Sequence, residues 1–212
     1  WYDYARHVIE FARTQGRPVK VAPEAILPVP TLSAVQPPLL CDDQEDQVVV
    51  LSGAHFLAYG DKVPSITAAS AGATHTYLPT VDAKDCVALE GNFAEKDVRL
   101  CSALTFTLPK GDFKVSEPTH VKLTVTNPAP ADCASTDAVE IVIIPEPVVS
   151  AVKPPAICDD QSDQVLEITG SNFLRYGDAL PTVTVGSPPT QHTYKPTFEE
   201  KDCVTVDGNF DG

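Results

Sequence analysis

The chain carries one long segment twice. "SAVQPPLLCDDQEDQV", Ser33 to Val48, returns as "SAVKPPAICDDQSDQV", Ser150 to Val165. The match continues without a gap through Gly53/Gly170, Tyr59/Tyr176, His75/His192, Cys86/Cys203 and Gly91/Gly208, each pair 117 residues apart. About half of the aligned positions are identical. A period of that length is too long for a solenoid repeat and matches one independently folding domain. The second copy ends at Gly212, where the counterpart of Glu95 falls, and half a domain does not bury its own core. With no Met and a start at Trp1, the 212 residues are expected to belong to a longer chain.

Twenty Pro among many Val and Thr disfavour an all-helical protein and favour short strands joined by stiff turns. A net charge of −14 argues against nucleic acid as a partner, because no basic patch exists to release phosphate counterions. No apolar run reaches the roughly 20 residues that span a bilayer, so no transmembrane segment is expected. Six Cys lack the CxxC and Cys/His spacings of zinc sites. Disulfides are the expected use, in an oxidising compartment: extracellular or at the cell surface. Cys41, Cys86, Cys101 and Cys133 fall in the first copy, and four cysteines permit three connectivities.

Residues 1–18 contain the one convincing helical pattern, with Tyr4, Val8, Phe11 and Ala12 at helical spacing and Gly16 and Pro18 as stop. This helix is expected to end a preceding domain or to dock onto the first repeat. Residues 19–29 form a Pro-rich, semi-rigid connector. From Thr31 the apolar period becomes two. Strands are expected at Thr31 to Gln36, Val48 to Ser52, Ser65 to Ala69, Thr74 to Leu78, Cys86 to Glu90, Val98 to Phe106, Val121 to Val125 and Val139 to Ile143. The expected fold class is all-β: tandem sandwiches over 30–146 and 147–212, the second incomplete, after a short N-terminal helix.

The Pro-bearing first strand ("LSAVQPP", "VSAVKPP"), the "LSGAHF"/"ITGSNF" segment and "TVTVG" resemble the IPT/TIG family of immunoglobulin-like domains. "VKLTVTNP" and "VEIVIIP" fit its closing strands, and the resemblance covers residues 30–212. The inserted "CDDQ(E/S)DQ" and the cysteines depart from the family pattern. The resemblance implies no catalytic residues. It implies a spacer, adhesion or ligand-contact module of a bacterial surface protein or receptor, or an accessory module of a secreted enzyme. Placing the strands as an immunoglobulin-type sandwich puts Cys41 and Cys86 at one pole and Cys101 and Cys133 at the other. That placement selects 41–86, 101–133 and, in the second copy, Cys158–Cys203.

Two loops carry candidate chemistry. "CDDQEDQ" and "CDDQSDQ" gather Asp42, Asp43 and Asp46, and Asp159, Asp160 and Asp163, as candidate calcium ligands, with Asp61 and Asp178 of the Tyr-Gly-Asp turns as further candidates. The competing reading makes Asp42 or Asp43 a turn cap hydrogen-bonded to nearby backbone N–H groups. His75-Thr76-Tyr77 and His192-Thr193-Tyr194 fit a strand packing across to its neighbour better than a ligand pair. No nucleophile elbow, phosphate-cradling loop or dinucleotide fingerprint occurs, and no cofactor is expected. The resulting expectation is a non-enzyme: a structural or adhesive repeat region of a secreted, cell-surface or filament protein. Its partners are other protein subunits or surface ligands, self-assembly among them. The competing function is an accessory module, spacer or carbohydrate-binding, of a secreted hydrolase.

Overall fold

A computed structural model describes residues 27–42, 45–90, 97–158, 162–208 and 210. The expected N-terminal helix, most of the connector, and Asp43, Asp159, Asp160, Gly91, Asn92 and Asn209 lie outside the described residues.

The described chain is all β apart from two single-turn 3-10 helices. In the first repeat the strands are β1 (Thr31–Gln36), β2 (Leu39–Cys41), β3 (Gln47–Tyr59), β4 (Ser65–Ala69), β5 (Thr74–Tyr77), β6 (Cys86–Ala88), β7 (Val98–Leu108), β8 (Thr119–Thr126) and β9 (Val139–Ile144). They form a four-stranded sheet ordered β1-β3-β7-β6 and a five-stranded sheet ordered β2-β9-β8-β4-β5. All described pairs are antiparallel except β2 with β9.

Alternation drives this arrangement. In β3, Val49 and Leu51 are fully buried while Val48 between strand partners is 60% exposed. In β7, Leu104 and Phe106 point inward, and in β8, Val121, Leu123 and Val125 do. These residues join Ile66, Ile141 and Ile143 in one apolar cluster fed by both sheets. A one-residue slip in any strand would turn that set outward, so burial fixes the register. Every described core residue lies between Val35 and Ile144.

β2 was not expected. After β1, Pro37 and Pro38 cannot continue the ladder as donors, and the chain crosses to the other sheet to pair Leu39 with Val142 and Leu40 with Ile143. β3 also runs further than its apolar stretch, because a register shift between Ser52 and Phe56 lets it resume pairing with β7 at Cys101.

The second repeat copies the first where strands exist. β10 (Val148–Lys153) pairs with β11 (Glu167–Ser171), and β12 (Val183–Val185) with β13 (His192–Tyr194). Val149↔Gly170 repeats Leu32↔Gly53, Val152↔Ile168 repeats Val35↔Leu51, and Val183↔Tyr194 repeats Ile66↔Tyr77. The register shift after Leu32 recurs after Val149. Even the backbone oddities recur, His55 and Asn172 having φ of 64° and 62°. The burial does not recur. Inner-face Phe56 is fully buried, while its counterpart Phe173 stays partly exposed.

Gly53 shows why the "SG"/"TG" step is glycine in both copies. A Cβ there would sit 2.0 Å from the carbonyl oxygen of Thr31, and one on Gly170 would sit 1.9 Å from that of Val148. The strand pair closes only over a missing side chain.

Candidate functional site

The acidic loop between β2 and β3 lies at one pole of the first repeat, against the β7–β8 loop of residues 109–118. Asp42 Oδ2 accepts from the backbone N–H of Val115 at 3.1 Å, and Asp46 Oδ1 accepts from that of Lys110 at 3.0 Å. The backbone N–H of Asp42 donates to Ile144 O at 3.0 Å. These carboxylates therefore fasten the two loops to each other. Asp42 Oδ1 is buried and has no hydrogen-bond partner among the described groups.

Of the candidate calcium ligands, Asp42, Asp46 and Asp163 lie in the described residues. Among the described residues no group of three His, Cys, Asp or Glu side chains is placed to hold a metal. Asp61 sits on the Tyr59–Lys62 turn at the far end of thirteen-residue β3 from Asp46, so it cannot join. In the second repeat Asp163 is exposed, and Asp178 lies on the corresponding Tyr176–Ala179 turn. Asp43, Asp159 and Asp160 are outside the described residues.

The His-Thr-Tyr strand packs onto the same 109–118 loop. The Tyr77 hydroxyl donates to Asp112 Oδ2 at 2.8 Å, and His75 Nδ1 stands 3.9 Å from that oxygen. The His75 ring meets Phe113 edge-on with centroids 4.9 Å apart, and Tyr77 stacks on Phe106 at 5.2 Å. Burial, then the hydrogen bond and charge of Asp112, push the Tyr77 phenol well above its ordinary range. The hydroxyl therefore stays protonated and donates. Chemically this is a clamp: the group on the carboxylate is a firmly held phenol, which cannot serve as a nucleophile at neutral pH. Beside it, Val48, Leu78, Thr80, Thr105 and Thr107 line a shallow open groove.

The cysteines correct the expected pairing. Cys86 of β6 lies directly across from Cys101 of β7 and is bonded to it, with Cα atoms 4.0 Å apart. That bond replaces both 41–86 and 101–133. β6 pairs on the open side of β7, which brings Cys86 to mid-strand instead of to the pole where Cys41 lies. Cys41, Cys133, Cys158 and Cys203 are free thiols, so Cys158–Cys203 is not formed.

Asn127 is not singled out by the sequence reasoning, whose strand stops at Val125. It is the buried polar side chain of the described core, 1% exposed. Its Oδ1 accepts from Leu57 N and its Nδ2 donates to His55 O. An Asn at the end of an alternating strand, followed by Pro, is the available signal.

Comparison with known proteins adds no relative. No family model, curated protein or solved structure matches the chain. Among the described residues no helix is long and apolar enough to cross a membrane. The geometry thus offers clamps, staples and strand edges.

Proposed function

We propose that the chain is a segment of tandem immunoglobulin-like sandwiches of the IPT/TIG kind, acting as a non-catalytic structural or adhesive element outside the cell. The observation that carries this reading is the recurrence, at 117 residues, of strand pairing register by register. An immunoglobulin-type sandwich sets strands A, B, E and D in one sheet and G, F and C in the other. The orders β1-β3-β7-β6 and β9-β8-β4 correspond to that arrangement. β5 then takes the place of the added C′ strand.

Acidity and a disulfide support an extracellular setting. The side-chain clusters support durability: Asp42, Asp46 and Asp112 each hold a loop. "Pro-Glu-Pro" at 145–147 leaves little slack between repeats, as a string under tension requires.

Single-molecule stretching from the two ends tests the proposal. The first repeat should resist as one cooperative step. Reducing Cys86–Cys101, separated by 15 residues, should lengthen that step by about 50 Å. Gradual extension without a discrete step, or catalytic turnover in a hydrolase screen, would refute it.

A further inference from the structure

The chain enters and leaves the first repeat by strands that end side by side. β1 runs from the entry pole, where Thr31 faces Ala54, toward the exit pole, where Asp42 and Asp46 hold the 109–118 loop. At Pro37-Pro38 the chain crosses to the other sheet and continues as β2. β9, the last strand of the repeat, ends at the same exit pole. It pairs with β2 in parallel, Leu39 with Val142, Leu40 with Ile143 and Cys41 with Ile144.

Tension on the string draws the start of β1 out at the entry pole and the end of β9 out at the exit pole. β2 and β9 are then pulled along their own axes in opposite senses, so the hydrogen bonds between them carry the load together, in shear. Peeling from one end would break them one at a time. The repeat can lengthen by two routes. Either β1 and β2 slide toward the entry pole, breaking β1–β3 and β2–β9, or β9 slides toward the exit pole, breaking β8–β9 and β2–β9. The β2–β9 pairing is common to both.

We propose that the three-residue pairing of β2 with β9 is a shear lock that sets the force at which the first repeat opens. Two bonds reach past the ends of β2. The Val142 N–H donates to Pro38 O at 2.9 Å, and the Asp42 N–H donates to Ile144 O at 3.0 Å. Leu40, Val142, Ile143 and Ile144 are buried, which keeps out the water that would otherwise replace a bond as it stretches. The end of β2 is braced a second time: Asp42 Oδ2 accepts the Val115 N–H at 3.1 Å, so a sliding β2 must also drag the β7–β8 loop. Cys86–Cys101 joins β6 to β7 and crosses neither route. Its reduction should therefore change the length of the opening step and leave its force alone.

The proposal rests on the reading of the chain as a string under tension, and the two fail separately. Extension of the parent chain without a step defeats that reading. A step whose force ignores β2–β9 defeats the lock alone.

The test stretches the full chain and reads the force of that step. Asp42→Ala removes the carboxylate and keeps the N–H that Ile144 O accepts, whereas Asp42→Pro removes both. The opening force should be about a third lower in Asp42→Pro than in Asp42→Ala, one bond of a short ladder being gone. Asn127→Ala, at the entry pole, should lower stability in urea and leave the force unchanged. A second measurement alters neither strand. Tethers at Val29 and Asp137, exposed residues just before β1 and β9 at the entry pole, load the pairing by peeling, and the force should fall to about half. Equal forces in Asp42→Pro and Asp42→Ala, a force that follows urea stability across the three variants, or a force indifferent to tether placement would overturn the lock.

Discussion

Asn127 Oδ1 accepts the backbone N–H of Leu57 at 2.8 Å, across 70 residues of sequence. Its amide nitrogen completes the grip, donating to His55 O at 2.9 Å. His55 has φ of 64°, and β3 leaves register with β7 between Ser52 and Phe56. The Leu57 N–H and the His55 carbonyl both take Asn127 as partner beside that irregularity. One amide side chain, just past the end of β8 in the opposite sheet, satisfies both. Asn127→Ala should destabilise the first repeat by roughly 2–4 kcal/mol, the cost of leaving a buried donor and acceptor unpaired. Asn127→Asp should also destabilise, because its carboxylate cannot donate to His55. Urea unfolding of both variants measures this, and a loss under 0.5 kcal/mol for Asn127→Ala would contradict it (about the scatter of a neutral surface change).

Gly53 and Gly170 make the same close approach but are predicted to matter unequally. Alanine at either site meets a backbone carbonyl about 2 Å away, which the neighbouring strand can relieve only by moving. Around Gly53 the neighbours belong to a packed core, so Gly53→Ala should lower the midpoint of the main unfolding transition. Around Gly170 no described residue is part of the core, and Gly170→Ala should open β10–β11 pairing while leaving that midpoint within error. Amide exchange resolves the two. Equal effects on the main transition would show that the second repeat shares in it.

Much of the strand layout was legible because period-two alternation and repeat offset act locally. Ser65–Ala69 begins and ends where the alternation predicts, and β1 ends at Gln36 before the prolines. What was not legible depended on which strands become neighbours. β2 is three residues long and exists through its parallel pairing with β9. Cys86 and Cys101 both stood in expected strands, but nothing local says that β6 lies beside β7. Pairing by pole therefore chose the wrong partners. The carboxylates followed the same rule: the sequence leaves Asp42 between a cation loop and a turn cap, and the N–H groups that Asp42 and Asp46 bind come from the distant 109–118 loop.

The disulfide correction has a direct consequence. Four of six cysteines should react with an alkylating reagent in the unfolded, unreduced chain, and all six after reduction. The bond closes a 15-residue loop, which the chain-entropy estimate values at about 3 kcal/mol. The Cys86→Ser/Cys101→Ser double variant should lose that much, measured by denaturant unfolding. Recovery of a Cys41–Cys86 or Cys101–Cys133 peptide would overturn the assignment.

Tyr77 predicts an alkaline weakness. Its phenol is raised from an ordinary value of 10.0 by burial first and by Asp112 second. Between that value and the folded one, the unfolded chain loses the proton and the folded chain keeps it, so stability falls as pH rises. The contribution is fully present below pH 10 and drains away above it. Tyr77→Phe, which removes the titrating group and keeps the stacking on Phe106, should flatten this limb. Unfolding midpoints from pH 8 to 11.5 in both proteins check it, and an unchanged slope in Tyr77→Phe would assign the effect elsewhere.

Calcium separates the two roles open to the acidic loop. As a staple, Asp42 gives one charge-assisted hydrogen bond to a part-buried backbone N–H, and Asp46 gives an exposed one. Asp42→Ala should cost roughly 1.5–3 kcal/mol and Asp46→Ala about 1 kcal/mol or less. Neither loss should depend on calcium. A site with affinity near 10 μM would add about 2.7 kcal/mol at 1 mM calcium, a shift thermal unfolding resolves easily. The staple reading predicts the same midpoint in 1 mM calcium and in chelator. A calcium-dependent rise that disappears in Asp42→Ala would make the loop a cation site after all, with Asp42 Oδ1, the buried oxygen lacking a described partner, as the natural ligand.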